Sequence, residues 1–238
     1  MSGGSAGRIR SISRTLEHSY GPKIWRPEED VLSQLIKTIL SQNTTDTNSL
    51  KAFQQLRERF TAWSDVHRAS RRQVAAAIRS GGLADIKAGR IKAILQQVFL
   101  EHPDGDLSFF ESWPTGRIRE YLGRFVGVGE KTIACVLLFA LGRPVMPVDT
   151  HVRRVSRRLG LIPPQSDAVQ AHRLLQDAVP ASLVYAFHLH LIEHGRTICR
   201  ARKPLCGRCP LQDRCVACRE SWPQILSGGS TRRSAEPS

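Results

Sequence analysis

The sequence predicts an all-α protein, on three observations. Apolar residues recur at helical spacing in segment after segment, as in Val31, Leu32, Leu35, Ile36, Ile39 and Leu40, which marks helices with one face in a core. Glycine, proline or small polar caps separate these segments. No stretch alternates as a half-buried strand does, and no internal repeat is visible.

The elements follow in order. Residues 1–7 are small and polar and read as a disordered tail. A helix is expected over 8–20, with Ile9, Ile12, Leu16 and Tyr20 on one face and Gly21-Pro22 as its stop. Pro27 predicts a helix start, with Glu28, Glu29 and Asp30 in the first turn, where the helix dipole favours acids. That helix runs into the polar stretch Ser41-Gln42-Asn43-Thr44-Thr45-Asp46, and Leu50, Phe53, Leu56 and Phe60 mark the next. Ser70 caps a short helix over 70–79 that Gly81-Gly82 stops. A longer helix over 86–100 turns Ile91, Ile94, Leu95 and Val98 inward. Phe109, Phe110 and Trp113 are expected to be buried, and 117–123 to form a short helix. Asp149 stands at the cap of a helix with Val152, Val155 and Leu159 inside and Gly160 at its end. Ser166 caps one to about Ala178, Pro180 opens another to Gly195, and 227–238 reads as a disordered tail.

The length allows one large domain or two small ones. Lys and Arg number 35 against 21 Asp and Glu, a net charge of +14, which points to a polyanionic partner, nucleic acid before membrane. The first residues carry no apolar signal segment, and no apolar run is long enough to cross a bilayer. The expected location is therefore inside the cell, cytoplasmic and nucleoid-associated in a bacterium, where cysteines are usually reduced.

The segment between Leu122 and Thr150 organises the rest. Gly127 and Gly129 bracket one residue in Phe125-Val126-Gly127-Val128-Gly129-Glu130-Lys131-Thr132, so the backbone can turn tightly and approach a ligand. The helix that follows starts near Gly129 or Glu130, buries Ile133, Val136, Leu137, Ala140 and Leu141, and ends at Gly142. Its first amides have no intrahelical partner and suit a DNA phosphate. A plain helix–turn–helix pair in a core has the same spacing. Mononucleotide motifs are excluded: a P-loop needs glycine where Glu130 stands, and GxGxxG needs it at Thr132.

Of the six cysteines, Cys135 lies on the apolar helix and reads as core. The other five fall between Cys199 and Cys218, a density that argues for metal inside a cell, with disulfides as the lesser alternative. Cys206-x2-Cys209 with Cys215-x2-Cys218 suits zinc, whereas Cys199-x6-Cys206-x2-Cys209-x5-Cys215 suits an iron–sulfur cluster, and spacing alone leaves both open. Arg200, Arg202 and Lys203 in the first loop are candidate phosphate contacts, or plain solvated charge.

From about residue 27 to 215 the chain resembles the endonuclease III family of the helix-hairpin-helix DNA glycosylase superfamily. Three features carry the resemblance: the hairpin from Gly127 to Thr132, Val148-Asp149-Thr150-His151, and the C-x6-C-x2-C-x5-C run. It implies a two-lobed all-α fold: a helical barrel with the hairpin over 30–146, a second lobe from 8–29 and 147–226, tails at 1–7 and 227–238, and DNA across the cleft. It implies a [4Fe-4S] cluster on Cys199, Cys206, Cys209 and Cys215, with Cys218 a bystander. It carries over Lys131 as catalytic lysine and Asp149 as catalytic aspartate. Gly127, Gly129 and Thr132 would meet DNA at the hairpin, and Gln42 and Asn43 would fill the gap left by a flipped base. His151 is read as structural. Val126 stands where the family usually has proline, and Asn43 where glutamine is more common.

The implied activity is a bifunctional glycosylase and abasic-site lyase acting as a monomer on double-stranded DNA with damaged bases or abasic sites. It would excise oxidised pyrimidines through a lysine Schiff base and β-elimination, because the chain has Lys131 and ends soon after the cysteines. A mismatch-specific or abasic-dedicated enzyme on the same frame, and a non-enzymatic iron–sulfur DNA-binding redox sensor, are the alternatives.

Overall fold

The computed structural model describes residues 3–219. Every regular element among them is helical, and none is long and apolar enough to cross a membrane. The predicted tail at 227–238 lies outside the described residues. Contacts divide the chain into two units, Trp25–Pro147 and, on either side of it in sequence, Met1–Ile24 with Val148–Ser238.

The first unit is built on α2 (Val31–Ser41). Its cap is Asp30, whose Oδ1 accepts from the Ser33 amide at 2.8 Å. The acids expected inside the first turn thus lie ahead of it, because a cap needs the extended backbone that Asp30 adopts. Then come α3 (Asp46–Arg59), capped by Thr45, and α4 (Trp63–Arg68). No periodic signal marks α4, which is too short and buries only Val66. The Ser70–Gln73 capping box opens α5 (Arg71–Ala77), and a 3-10 turn at Arg79–Gly81 leads to α6 (Ala84–Glu101). The unit closes with α7 (Thr115–Gly123) and α8 (Glu130–Phe139).

Leu35, Ile36, Ile39 and Leu40 of α2 form one core with Ile91, Leu95 and Val98 of α6 and Val136 and Leu137 of α8. Each such side chain stabilises the fold by roughly 1.5–3 kcal/mol. Phe110 is wholly buried, while Phe109 and Trp113 are half-buried around it. Ala140 and Leu141 are likewise only half-buried. Trp25 belongs here: its indole donates to the Phe139 carbonyl at 3.2 Å, and its ring lies where a Cβ on Gly142 would stand. The stretch 25–29 therefore groups with these helices rather than with the other segments.

In the second unit α1 spans Gly3–Tyr20, so the tail expected over 1–7 is in large part helix. Ile9, Ile12 and Leu16 are fully buried, and a helix held there extends backwards because each amide bonds to the carbonyl four residues earlier. The unit continues with α9 (Thr150–Leu159), α10 (Ala168–Ala178) and α11 (Val184–Thr197). Helix α10 is capped by Asp167, in a box with Gln170, and not by Ser166, which is buried. Pro180 precedes a 3-10 turn at Ala181–Leu183 before α11 begins.

Candidate active site and iron–sulfur centre

In the first unit the glycines of the hairpin differ in role. Gly127 has φ +84°, and a Cβ there would stand 2.6 Å from the Arg90 side chain. Gly129 is the extended cap of α8, with open space where a Cβ would go. Its carbonyl accepts from the Thr132 amide at 2.9 Å and the Ile133 amide at 3.0 Å. Glu130 and Lys131 are the first two residues of the helix, so their amides have no intrahelical acceptor. The Glu130 carboxylate is paired with Arg119 of α7, which offsets its negative charge beside an anion site.

Lys131 is half-buried and lines a cavity of about 820 Å³ in this unit, together with Ser41, Thr38, Asp46 and Cys135. Thr132 is buried, and its hydroxyl accepts from Gln42 Nε2 at 3.3 Å. That same Nε2 donates to the Gly127 carbonyl at 3.0 Å, while Gln42 Oε1 accepts from Arg90 Nη1 at 2.6 Å. Gln42 is thus committed within the protein. Asn43, left-handed at φ +52°, is exposed, as are Thr45 and Asp46 further along the loop.

In the second unit Asp149 is half-buried, and its Oδ1 accepts from the Val152 amide at 2.7 Å. The N-cap expected from the sequence is present. His151 Nδ1 lies 3.1 Å from Arg154 Nη2. A guanidinium only donates, so Nδ1 accepts and the histidine is tied into the helix packing.

Cys199, Cys206, Cys209, Cys215 and Cys218 all line one cavity of about 220 Å³, walled otherwise by Val155, Leu159, Ile198 and neighbours. Burial pushes the Cys209 thiol up to about 11, with adjacent cysteines acting the same way, and the Cys215 thiol also rises chiefly by burial. Thiols so placed ionise when a metal takes the proton's place. Five thiols on the wall of one cavity supply the four thiolates that an iron–sulfur cluster takes, and leave the metal to be decided by the family.

Residues that the spacing argument missed surround these thiols. Arg158 Nη1 donates to Cys199 Sγ at 3.4 Å and to the Arg200 carbonyl at 2.7 Å. Arg154 Nε donates to the Cys199 carbonyl at 3.0 Å. His194 Nε2 lies 3.6 Å from Cys209 Sγ, and its Nδ1 lies 2.8 Å from the Tyr20 hydroxyl. The four-residue spacing of Arg154 and Arg158 on one helix face was the available signal. Arg200, Arg202 and Lys203 are exposed in the loop between the first two thiols, with Lys203 left-handed at φ +49°.

A helix, glycine hairpin and helix in one unit and a thiol-walled cavity in the other define an iron–sulfur protein of the helix-hairpin-helix class. Residues 36–181 match the model of the HhH-GPD superfamily base excision DNA repair proteins, and 199–215 match the iron–sulfur binding domain of endonuclease III. A candidate DNA glycosylase of Arabidopsis thaliana is 38% identical over 74% of this chain, which spans 60% of that protein's length. Endonuclease III of Sulfolobus acidocaldarius is 31% identical over 78% of this chain and 82% of its own. A trapped endonuclease III–DNA covalent intermediate superposes with a TM-score of 0.78 at 27% identity, over 91% of this chain and 98% of that one. The chain belongs to the endonuclease III family of DNA glycosylases in base excision repair. Its cofactor is a [4Fe-4S] cluster.

Proposed function

We propose that the protein is a bifunctional glycosylase and abasic-site lyase that removes oxidised pyrimidines from double-stranded DNA inside the cell, acting as a monomer. The observation that carries this reading is Lys131 in the first turn of α8, directly behind the glycine hairpin and on the wall of a cavity. An amine there lies beside the amides that would receive a DNA phosphate. Damaged pyrimidines stack and pair less well, so extruding one costs less than the roughly few kcal/mol of an intact base.

The Lys131 amine forms a bond to the sugar C1′ through its nitrogen lone pair while the N-glycosidic bond breaks. That bond's electron pair leaves with the base, which takes up a proton. Ring opening gives an imine on Nζ. Loss of a C2′ proton then expels the 3′ phosphate by β-elimination and cuts the strand. Asp149, whose Oδ1 caps α9, is the proposed source of negative charge for the developing oxocarbenium. Cys199, Cys206, Cys209 and Cys215 hold the cluster, which ties the 199–215 loop and its cations to the second unit. Glycosidic cleavage transfers no electrons and asks nothing further of it.

The test is borohydride trapping on a duplex carrying one thymine glycol. The wild type is expected to form a covalent protein–DNA product, and Lys131→Gln to form none while still binding DNA. Binding without a trapped product in the wild type would remove the lysine reading for this lesion. A product on an abasic duplex alone would leave a dedicated lyase.

A further inference from the structure

We propose that Arg90 is a positioning residue for the hairpin, acting through Gln42. The Gln42 carboxamide joins three elements. It sits at the C-cap of α2, takes a bond from Arg90 of α6, and gives two to the hairpin, at the Gly127 carbonyl and the Thr132 hydroxyl. A guanidinium has donors and no acceptor, so Arg90 compels Oε1 to face it. Nε2 must then face the hairpin. Without Arg90 the amide is free to turn over, and Oε1 would meet the Gly127 carbonyl, oxygen against oxygen.

Arg90 also touches the turn itself. Gly127 packs so closely on its Cδ and Nε that a Cβ would stand 2.6 Å from each. One turn earlier on α6, the buried Lys87 donates to the Leu40 carbonyl at 2.7 Å and the Gly81 carbonyl at 2.8 Å. Leu40 is two residues before Gln42, so α6 holds the end of α2 at two successive points. The hairpin, and Lys131 on its helix, take their orientation from this clamp. The catalytic consequence rests on the lysine reading above; the clamp itself does not.

The experiment compares Arg90→Met, which keeps the stem and loses the donors, with Arg90→Lys, which restores a donor. Gln42→Glu keeps the acceptor for Arg90 and sets a carboxylate oxygen against the Gly127 carbonyl, which can only accept, while the Thr132 hydroxyl can turn to donate to it. Hydrogen exchange of the 124–132 peptide, affinity for a duplex with a tetrahydrofuran abasic analogue, and single-turnover trapping on an abasic duplex are measured on the holoprotein. Arg90→Met is expected to speed hairpin exchange and to slow trapping about 10-fold, with affinity within about 3-fold. Arg90→Lys should recover most of both. Combining Arg90→Met with Gln42→Ala should slow trapping no further than the worse single change, because the two act as one unit. Gln42→Glu should speed hairpin exchange although its partner remains, and this variant decides the matter if Arg90→Met fails to fold. Wild-type hairpin exchange in Gln42→Glu, or losses that multiply in the double variant, would overturn the proposal. Absent trapping in the wild type would remove the lysine reading alone, since exchange still reports on the clamp.

Discussion

Tyr121 buries its hydroxyl in a ring cluster with Phe110, Trp113 and Phe125, where it meets no partner at full hydrogen-bond geometry although the Glu101 carboxylate lies close by. Burial first, and the nearby Glu101 carboxylate second, push its pKa up to about 12 from 10.0. A raised folded value means stability that is fully present below about pH 10 and lost as pH climbs towards 12. Tyr121→Phe should therefore raise stability at pH 7 by about 1 kcal/mol, by removing an unsatisfied buried group. It should also flatten the fall between pH 10 and 12, which in the wild type is on the order of 2–3 kcal/mol. Urea midpoints at pH 7 and pH 11 check both, and a destabilised variant at pH 7 would mean that the hydroxyl has a partner after all. The ring's burial follows from its neighbours in the fold, and nothing in the local sequence distinguishes its buried oxygen.

Among the elements, α9 carries the chemical role proposed for Asp149 along with a structural one. Asp149 caps it, Gly160 ends it at φ +68°, and a Cβ on Gly160 would come within 2.7 Å of Val216. Asp149→Ala should cost about 1 kcal/mol of stability, whereas Asp149→Asn keeps an equally good cap. Both should lose most strand cleavage, so thermal melting and cleavage assays together separate the cap from the charge. Cleavage by Asp149→Asn at the wild-type rate would reduce Asp149 to a cap. Gly160→Ala should destabilise by more than 1 kcal/mol through strain and the clash with Val216. Caps of this kind are local chemistry and legible in the sequence. Ser166 shows the limit: the sequence offers Ser and Asp side by side, and only the packing that buries Ser166 assigns the cap to Asp167.

At the scale of the whole molecule, charge and cluster dominate. A net charge of +14 predicts DNA affinity that falls steeply with salt, log Kd rising linearly with log salt at a slope of about 0.9 for each phosphate neutralised. Arg202→Ala and Lys203→Ala should each lower that slope by roughly one if they meet phosphates. An unchanged slope would leave them as solvated surface. Cys209→Ser should lose the visible absorption of the cluster and lower the melting temperature of the unit that holds α9 and α11, while leaving the helices of the α2 core in place. Circular dichroism with limited proteolysis would read this. Uniform unfolding of both units would show instead that the first unit depends on the second.

By itself the sequence determined the all-α class, most helix boundaries to within a few residues, the glycine hairpin and the cap at Asp149. These follow from periodicity and capping, interactions between residues close along the chain. It also held the cysteine pattern, but spacing alone left zinc and iron–sulfur open. Their gathering around one cavity is a matter of three dimensions. The same is true of Gln42, which the sequence offers to DNA and the fold ties to Gly127, Thr132 and Arg90. Arg90 is 48 positions from Gln42 and 37 from Gly127 in the sequence. Contacts at that separation leave no periodic trace, because which side chain meets which is set by how the helices pack.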